Sequence, residues 1–278
     1  MIGYDNIFQH LDSIKTVDRR YHTGEEPVLV ECSDRNAYVC KYSRYSGSAS
    51  KLVCELVGSM LARTWALNTP DLAIISVLPQ HTPSDISASY FQLPSFGSKL
   101  MRNVIDITPT TISQLPQSER LCKQLLRIAL FDMWVANEDR NANNANLMYD
   151  VLSDNLIAID FGCIFNTATL DYPLSQLTET DSILTSDLFR HISANISKQR
   201  IAQMVEVLTK VDFSSCVHNC KTDIECLTDW TISSEETQII PNGWIQNKDI
   251  LASKLSELLS DDWLANVESN FMEIIKQL

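Results

Sequence analysis

Hydrophobic and polar residues alternate from Val28 to Cys32 and again from Ala37 to Tyr42, with the turn-forming Ser33, Asp34, Arg35 and Asn36 between them. Period-two alternation around such a turn predicts a β-hairpin. The period then changes. In SASKLVCELVGSMLARTWAL, Leu52, Leu56 and Met60, or Val53, Val57 and Leu61, recur at helical spacing, and Pro70 just beyond discourages continuation. One stripe of this helix, Lys51, Glu55, Gly58, Ser59 and Ala62, combines two charges with small residues that would let it approach a sheet. DLAIISVL reads as a buried strand and PQHTPSDISAS as a Pro- and Ser-rich loop. SYFQLPSFGSKL reads as a further strand running into a connector around Gly97.

Beyond Gly97 the pattern turns helical. QSERLCKQLLRIALFDMWVAN offers Ser118 as a cap and places Leu121, Leu125, Ile128, Met133 or Trp134, and Val135 as the apolar face of a buried helix. NLMYD and NLIAIDFG are two short strands joined by the turn DVLSDN. From Asp181 onward the chain reads as mostly helical, notably in SKQRIAQMVEVLTKV and in the segment from Asn247 to Leu278. No internal repeat and no low-complexity tract interrupts it. The expectation is an α+β chain of two lobes: a small sheet-rich N-lobe over residues 1–97 and a larger helical C-lobe over 98–278. Junctions between lobes are common ligand sites.

Composition narrows the class of partner. With 278 residues, 45% of them hydrophobic, the chain can bury a sizeable core. A net charge of -13 with only 22 Lys and Arg works against a phosphate-backbone partner, so no nucleic-acid binding is expected. The N-terminal MIGYDNIFQH lacks a basic region followed by an apolar core, and no apolar run approaches the ~18 residues that span a bilayer. A soluble, cytoplasmic protein without a membrane partner is expected. Several of the 8 cysteines sit inside apolar segments, which suits a reducing compartment. Cys216, His218, Cys220 and Cys226 offer soft ligands, but their spacing matches none of the common zinc patterns; a helical segment with incidental thiols is the preferred reading.

The chemistry concentrates in NEDRNANNAN, residues 137–146. Asp139 is followed by Asn144 five residues later and by Asp160 at the start of Asp-Phe-Gly. A carboxylate that orients an attacking hydroxyl, followed by an amide oxygen and a second carboxylate that hold magnesium, is the layout of a phosphoryl-transfer site. Short polar residues suit the loop because they cap the preceding helix and turn the backbone sharply. Upstream, Lys41 on a strand and Glu55 on the next helix are the pair a kinase uses to hold nucleotide phosphates. Taken singly, each feature has a plainer reading. The asparagine-rich turn could simply reverse the chain, Glu55 could face solvent, and Thr23 and Gly24 could be an ordinary turn rather than a phosphate-covering tip. His22 reads as a surface residue. The order of the four groups, on these element types, favours the nucleotide site.

These segments resemble the HipA-like kinase domain family, relatives of the HipA toxin kinases and, more distantly, of phosphatidylinositol and protein kinases. TGEEPVLVECSDRNAYVCKY corresponds to the nucleotide-covering hairpin, CELVGSMLAR to the glutamate helix, FDMWVANEDRNANNANLM to the catalytic loop and IAIDFG to the metal-binding strand end. The resemblance implies a bilobal protein-kinase-like fold with ATP between the lobes, Asp139 as catalytic aspartate, and Asn144 and Asp160 as magnesium ligands. Lys41 would contact the α- and β-phosphates with Glu55 as its partner, under a tip at Thr23 and Gly24. The implied activity is transfer of the γ-phosphate of ATP to a Ser or Thr hydroxyl of a protein, with an antitoxin or other regulatory protein as a further partner class. The sequence departs from the family at two points. Asn141 stands where related kinases often carry His, and Gly24 is the only glycine between Gly3 and Gly47. Asn146 competes with Asn144 for the metal. Two other readings share the motifs: a small-molecule kinase, and a pseudokinase that binds nucleotide and acts through contact with a partner.

Overall fold

Six strands pair into the first sheet of the computed structural model, which describes residues 9–17, 19–21, 24–44, 48–232 and 239–278, with the side chains of Ser48 and residues 229–232 left aside. They are β1 (Gln9–Asp12), β2 (Arg19–Arg20), β3 (Val28–Glu31), β4 (Ala37–Lys41), β5 (Leu72–Ser76) and β6 (Ser95–Lys99), in the spatial order β1-β5-β6-β4-β3-β2. The expected hairpin is β3 against β4, with Val28 opposite Cys40 and Glu31 opposite Ala37. Its alternation works as read: Val28, Val30, Tyr38 and Cys40 are buried, and their neighbours along the strands are not. Only β1 and β5 run parallel; the other pairs in this sheet are antiparallel.

Two features of this sheet differ from the sequence expectation. Gly97 is the middle residue of β6 rather than the start of a connector. A Cβ there would stand 2.3 Å from Ile75 Cδ1, so the glycine leaves room for the Ile75 side chain of the neighbouring strand and does not mark a strand end. β1 and β2 were not anticipated either. QHLD and RR carry almost no apolar alternation, and these strands exist through pairing with β5 and β3.

Helix α1 (Ser48–Thr64) follows the hairpin as expected. The later elements are β7 (Val104–Asp106), α2 (Glu119–Trp134), β8 (Leu147–Asp150), β9 (Asn155–Ala158), α3 (Ile164–Ala168), α4 (Asp187–Ser193), α5 (Lys198–Val207), α6 (Ser214–Ile232), α7 (Lys248–Glu257) and α8 (Asp261–Gln277). A π-helical stretch, Leu208–Phe213, joins α5 to α6, so the chain stays helical from Lys198 to Ile232. β8 and β9 form the second expected hairpin, and β7, only three residues long and not anticipated, pairs antiparallel with β8. None of the described helices is long and apolar enough to cross a membrane.

The chain divides into two compact units. The first comprises the described residues of Met1–Leu56, Pro70–Arg102 and Gln238–Gln246 and contains the six-stranded sheet. Its core gathers Val28, Val30, Cys32, Tyr38, Cys40, Ala73 and Ile75 with Phe91 and Ile86. The second comprises Val57–Thr69, the described residues of Asn103–Thr237, and Asn247–Leu278, and contains the three-stranded sheet and most of the helices. Aromatic packing centres it. Trp65 stacks on Trp134 at 5.2 Å and meets Phe131 edge-on at 5.2 Å, while Trp263 donates its indole N–H to the Trp134 carbonyl at 2.8 Å. This sheet-bearing unit and helical unit make up an α+β architecture.

Candidate active site

In the first unit, β4 ends on Lys41 and α1 carries Glu55, and the structure brings the two together at 2.5 Å between Nζ and Oε1. Strand alternation turns Lys41 off the core face that holds Tyr38 and Cys40. Glu55 is only 2% exposed, and a carboxylate so buried is tolerated because the ammonium compensates it. Gly24 lines the same cleft as Lys41 and Glu55. Thr23, expected beside it, and His22 lie outside the described residues. Sequence reasoning missed a fourth and fifth member, Glu25 and Lys51, which complete a chain of ion pairs: Glu25 lies 3.0 Å from both Lys41 and Lys51. Lys51 was noted only as part of the helical stripe, and nothing in the sequence signals the reach of Glu25 across 26 positions.

In the second unit, α2 begins at its expected cap, Ser118 Oγ accepting from the Leu121 N–H, and ends where Ala136 enters the left-handed region at φ +51°. The asparagine loop follows, and most of its short side chains are used on the loop itself. Asn141 accepts from the Asn143 N–H and donates to the Glu138 carbonyl, each at 3.0 Å. Asp139 Oδ2 accepts from Asn144 Nδ2 at 3.0 Å and from Asn146 Nδ2 at 2.9 Å. Each of these amides gives its N–H to Asp139, which leaves its oxygen as the acceptor that a hard cation requires. Asp160, after β9, stands in the left-handed region at φ +61°, a conformation Asp tolerates better than most residues and one that clusters at functional sites.

What holds Asp139 and Asp160 in place is Arg140, a residue the sequence reading passed over. It is fully buried. One Nη pairs with Asp132 of α2, the other donates to the Ile159 carbonyl at 2.8 Å, and the guanidinium lies 5.0 Å from the centroid of the Phe161 ring. Arg140 therefore connects α2, the aspartate loop and both neighbours of Asp160. Asn137 adds a bond to Asp132 at 3.0 Å. Burial pushes the Asp132 carboxyl above the ordinary carboxylate range, against the pull of Arg140 and Asn137. A signal existed: Asp132 interrupts the apolar run Ala129 to Val135 at a buried helical position, and a carboxylate there demands a cation.

Phe161, next to Asp160, packs on α1 at Gly58, and Gly58 was expected to favour close approach to a sheet. The neighbour it admits is an aromatic ring: a Cβ on Gly58 would lie 2.5 Å from Phe161 Cβ. Beyond Phe161 the chain makes a left-handed turn, with Phe165, Asn166 and Thr167 at φ +58°, +51° and +61°. Glu138 steadies it, accepting from Asn166 Nδ2 at 2.8 Å and from Thr167 Oγ1 at 2.7 Å.

The cysteine segment proves helical. α6 buries Cys216, whose Sγ accepts from Arg127 at 2.9 Å, and Cys220, whose thiol points to the Leu61 carbonyl at 3.7 Å, while His218 is exposed. Among the described residues, no group of three or more His, Cys, Asp or Glu side chains is placed to hold a metal ion.

No curated protein matches the chain. Among solved structures, a Helicobacter pylori proinflammatory kinase, CtkA, aligns at 10% identity over 95% of this chain and 98% of its own, with a TM-score of 0.49. The Golgi casein kinase aligns at 11% identity over 97% of this chain and 73% of its own, with a TM-score of 0.47. The sequence pattern described as HipA-like kinase matches residues 14–239, well over half of the chain. The protein belongs to the HipA-like kinase family.

Proposed function

We propose that this kinase uses ATP and magnesium, and that it transfers the γ-phosphate to a Ser or Thr hydroxyl of a protein. The observation that carries the reading is the aspartate loop, in which Asp139 is held by two amide donors whose oxygens remain suited to a cation. In this reading Asp139 receives or orients the acceptor hydroxyl, and Asn144 and Asp160 supply hard oxygen ligands, with Asn146 bonded to Asp139 in the same way as Asn144. Bound magnesium would neutralise charge on the phosphates during transfer. Lys41, steadied by Glu55, would bind the α- and β-phosphates beneath the tip at Thr23 and Gly24. The residue types fit such a ligand: one ammonium fixed by a buried carboxylate, and oxygen donors held by a buried arginine. The N-lobe at 1–97 and the C-lobe at 98–278 are the two halves this reading assigns to nucleotide covering and to phosphoryl transfer.

Radiolabelled γ-phosphate offered with the purified chain to a cell lysate tests the reading. Label should enter a protein band in a magnesium-dependent way and vanish with Asp139→Ala. A pseudokinase reading has one observation in its favour: Asn141, in place of the usual His, has both ends of its side chain engaged within the loop. Nucleotide binding without any label transfer would favour it.

A further inference from the structure

Glu25 divides its carboxylate between two lysines. Oε2 is 3.0 Å from Lys41 Nζ, and Oε1 is 3.0 Å from Lys51 Nζ. Lys51 and Glu55 are four residues apart on α1, so they share a face of the helix and line one cleft with Lys41, Gly24 and Arg44. Two ammonium groups, each bonded to a different oxygen of one anionic group, is also how a pair of lysines takes a phosphoryl group.

The two carboxylates of this cluster are not equivalent. Glu55 is 2% exposed and lies against Lys41, whereas the Glu25 side chain is 33% exposed. Removing Glu25 from the lysines therefore strands no buried charge. Its surroundings allow the movement. A Cβ on Gly24 would meet nothing within 4 Å, so the tip borders open space. The next residue, Glu26, is anchored: it pairs with Arg20 and with Arg44 at 3.0 Å, and its carbonyl accepts from the Tyr42 hydroxyl at 3.2 Å. Glu25 thus sits between a glycine facing open space and a fixed neighbour.

We propose that Lys51 is a second phosphate-binding cation beside Lys41, and that Glu25 bridges both lysines as a carboxylate stand-in for nucleotide phosphate and yields its place when nucleotide binds. The inference rests on the reading of Lys41 as a nucleotide contact. It gives the glycine-poor tip a role: Glu25 holds the two ammonium groups side by side against their mutual repulsion. Nucleotide phosphate then competes with an intramolecular anion, so affinity reflects the difference between the two.

Calorimetric titration of the full chain with MgATP tests this, using Glu25→Gln, Lys51→Met and Lys41→Met, each checked by its melting curve; Lys51→Gln serves if the methionine variant fails to fold. Glu25→Gln should bind MgATP about fivefold more tightly and Lys51→Met about fivefold more weakly, as expected for partly exposed ion pairs. Opposite signs at two residues of one ion-pair chain are not produced by a merely structural role. Unchanged or weaker binding by Glu25→Gln, or wild-type affinity in Lys51→Met, overturns the proposal while Lys41→Met still weakens binding. If the wild type and Lys41→Met behave alike, including both failing to bind, the nucleotide reading itself falls and this proposal with it.

Discussion

Phe161 packs so closely on Gly58 that the two positions cannot both carry a Cβ at their present separation, which would be 2.5 Å. The Gly58 turn of α1 and the Asp-Phe-Gly segment carrying Asp160 are thereby held together through one missing methyl group. In Gly58→Ala, overpacking costs about 1–3 kcal/mol, and the better helix propensity of alanine offsets about 1 kcal/mol of it. A modest fall in melting temperature should accompany a larger loss of magnesium-dependent ATP affinity, because displacement of Phe161 moves Asp160. Nucleotide titration beside a melting curve checks this. A variant as stable as the parent and binding equally well would show that the contact relaxes without consequence.

Arg140 and Asp132 give a sharper stability test, since both side chains are almost wholly buried. Arg140→Met should cost about 3–5 kcal/mol, the usual penalty for leaving one member of a buried ion pair behind. Arg140→Lys should recover only part of it, because one ammonium cannot reach Asp132 and the Ile159 carbonyl while covering the Phe161 ring. The double variant Arg140→Met with Asp132→Leu removes both charges and should regain much of the loss. Urea unfolding measures these three and Asp132→Leu alone, and additive costs of the two single variants in the double variant would deny the coupling.

Why the sequence displayed the hairpins and main helices but hid Arg140 is a matter of range. β3, β4, α1 and α2 bury a face whose period is written in a few consecutive residues, so alternation and helical spacing suffice. β1 and β7 are short and mixed in character, and their hydrogen bonds come from distant strands: Gln9 opposite Ala73, Ile105 opposite Tyr149. Asp139, Asn144 and Asp160 stand out as candidates because phosphoryl transfer imposes residue types and an order. Arg140 reads locally as one more polar loop residue, and its burial depends on Asp132, Ile159 and Phe161 converging in space. The left-handed turn at Phe165–Thr167 is hidden for a related reason, since Phe and Thr have no intrinsic preference for positive φ and tertiary contacts impose it.

Thiol chemistry should follow burial. Of the cysteines, Cys163 and Cys226 are partly exposed and the other six are buried. Desolvation pushes the Cys32 thiol up to about 12 and Cys122 to about 11, so neither forms appreciable thiolate at neutral pH. Brief iodoacetamide treatment of the native protein should therefore label Cys163 and Cys226, with the rest appearing only in urea. Peptide mass mapping reads the result. Because Cys163 follows Asp-Phe-Gly, its labelling should slow when MgATP is present, while that of Cys226 should not; equal slowing at both would point to global tightening.

Asp139 and Asp160 should fail differently when altered. Asp139 is bonded to two amide donors and is assigned to the acceptor hydroxyl, so Asp139→Ala should leave MgATP affinity nearly intact while abolishing phosphate transfer, an effect confined to the transition state. Its loss also deprives Asn144 and Asn146 of a shared partner, at about 0.5–1.5 kcal/mol for each hydrogen bond, so the kinetics must be compared only under conditions where the melting curve shows a folded protein. Asp160 is assigned to the metal, and its replacement should weaken nucleotide binding in magnesium but not in EDTA. Alanine is a poor probe there, because φ of +61° disfavours it as well as removing the carboxylate. Asp160→Asn keeps the left-handed tolerance and isolates the charge, so a loss of magnesium dependence in this variant is attributable to ligand chemistry. Equal loss of binding at both positions would mean that Asp139 holds the metal rather than the acceptor. Full biological effect in Asp139→Ala, with none in Asp160→Asn, would instead make nucleotide binding alone the working activity.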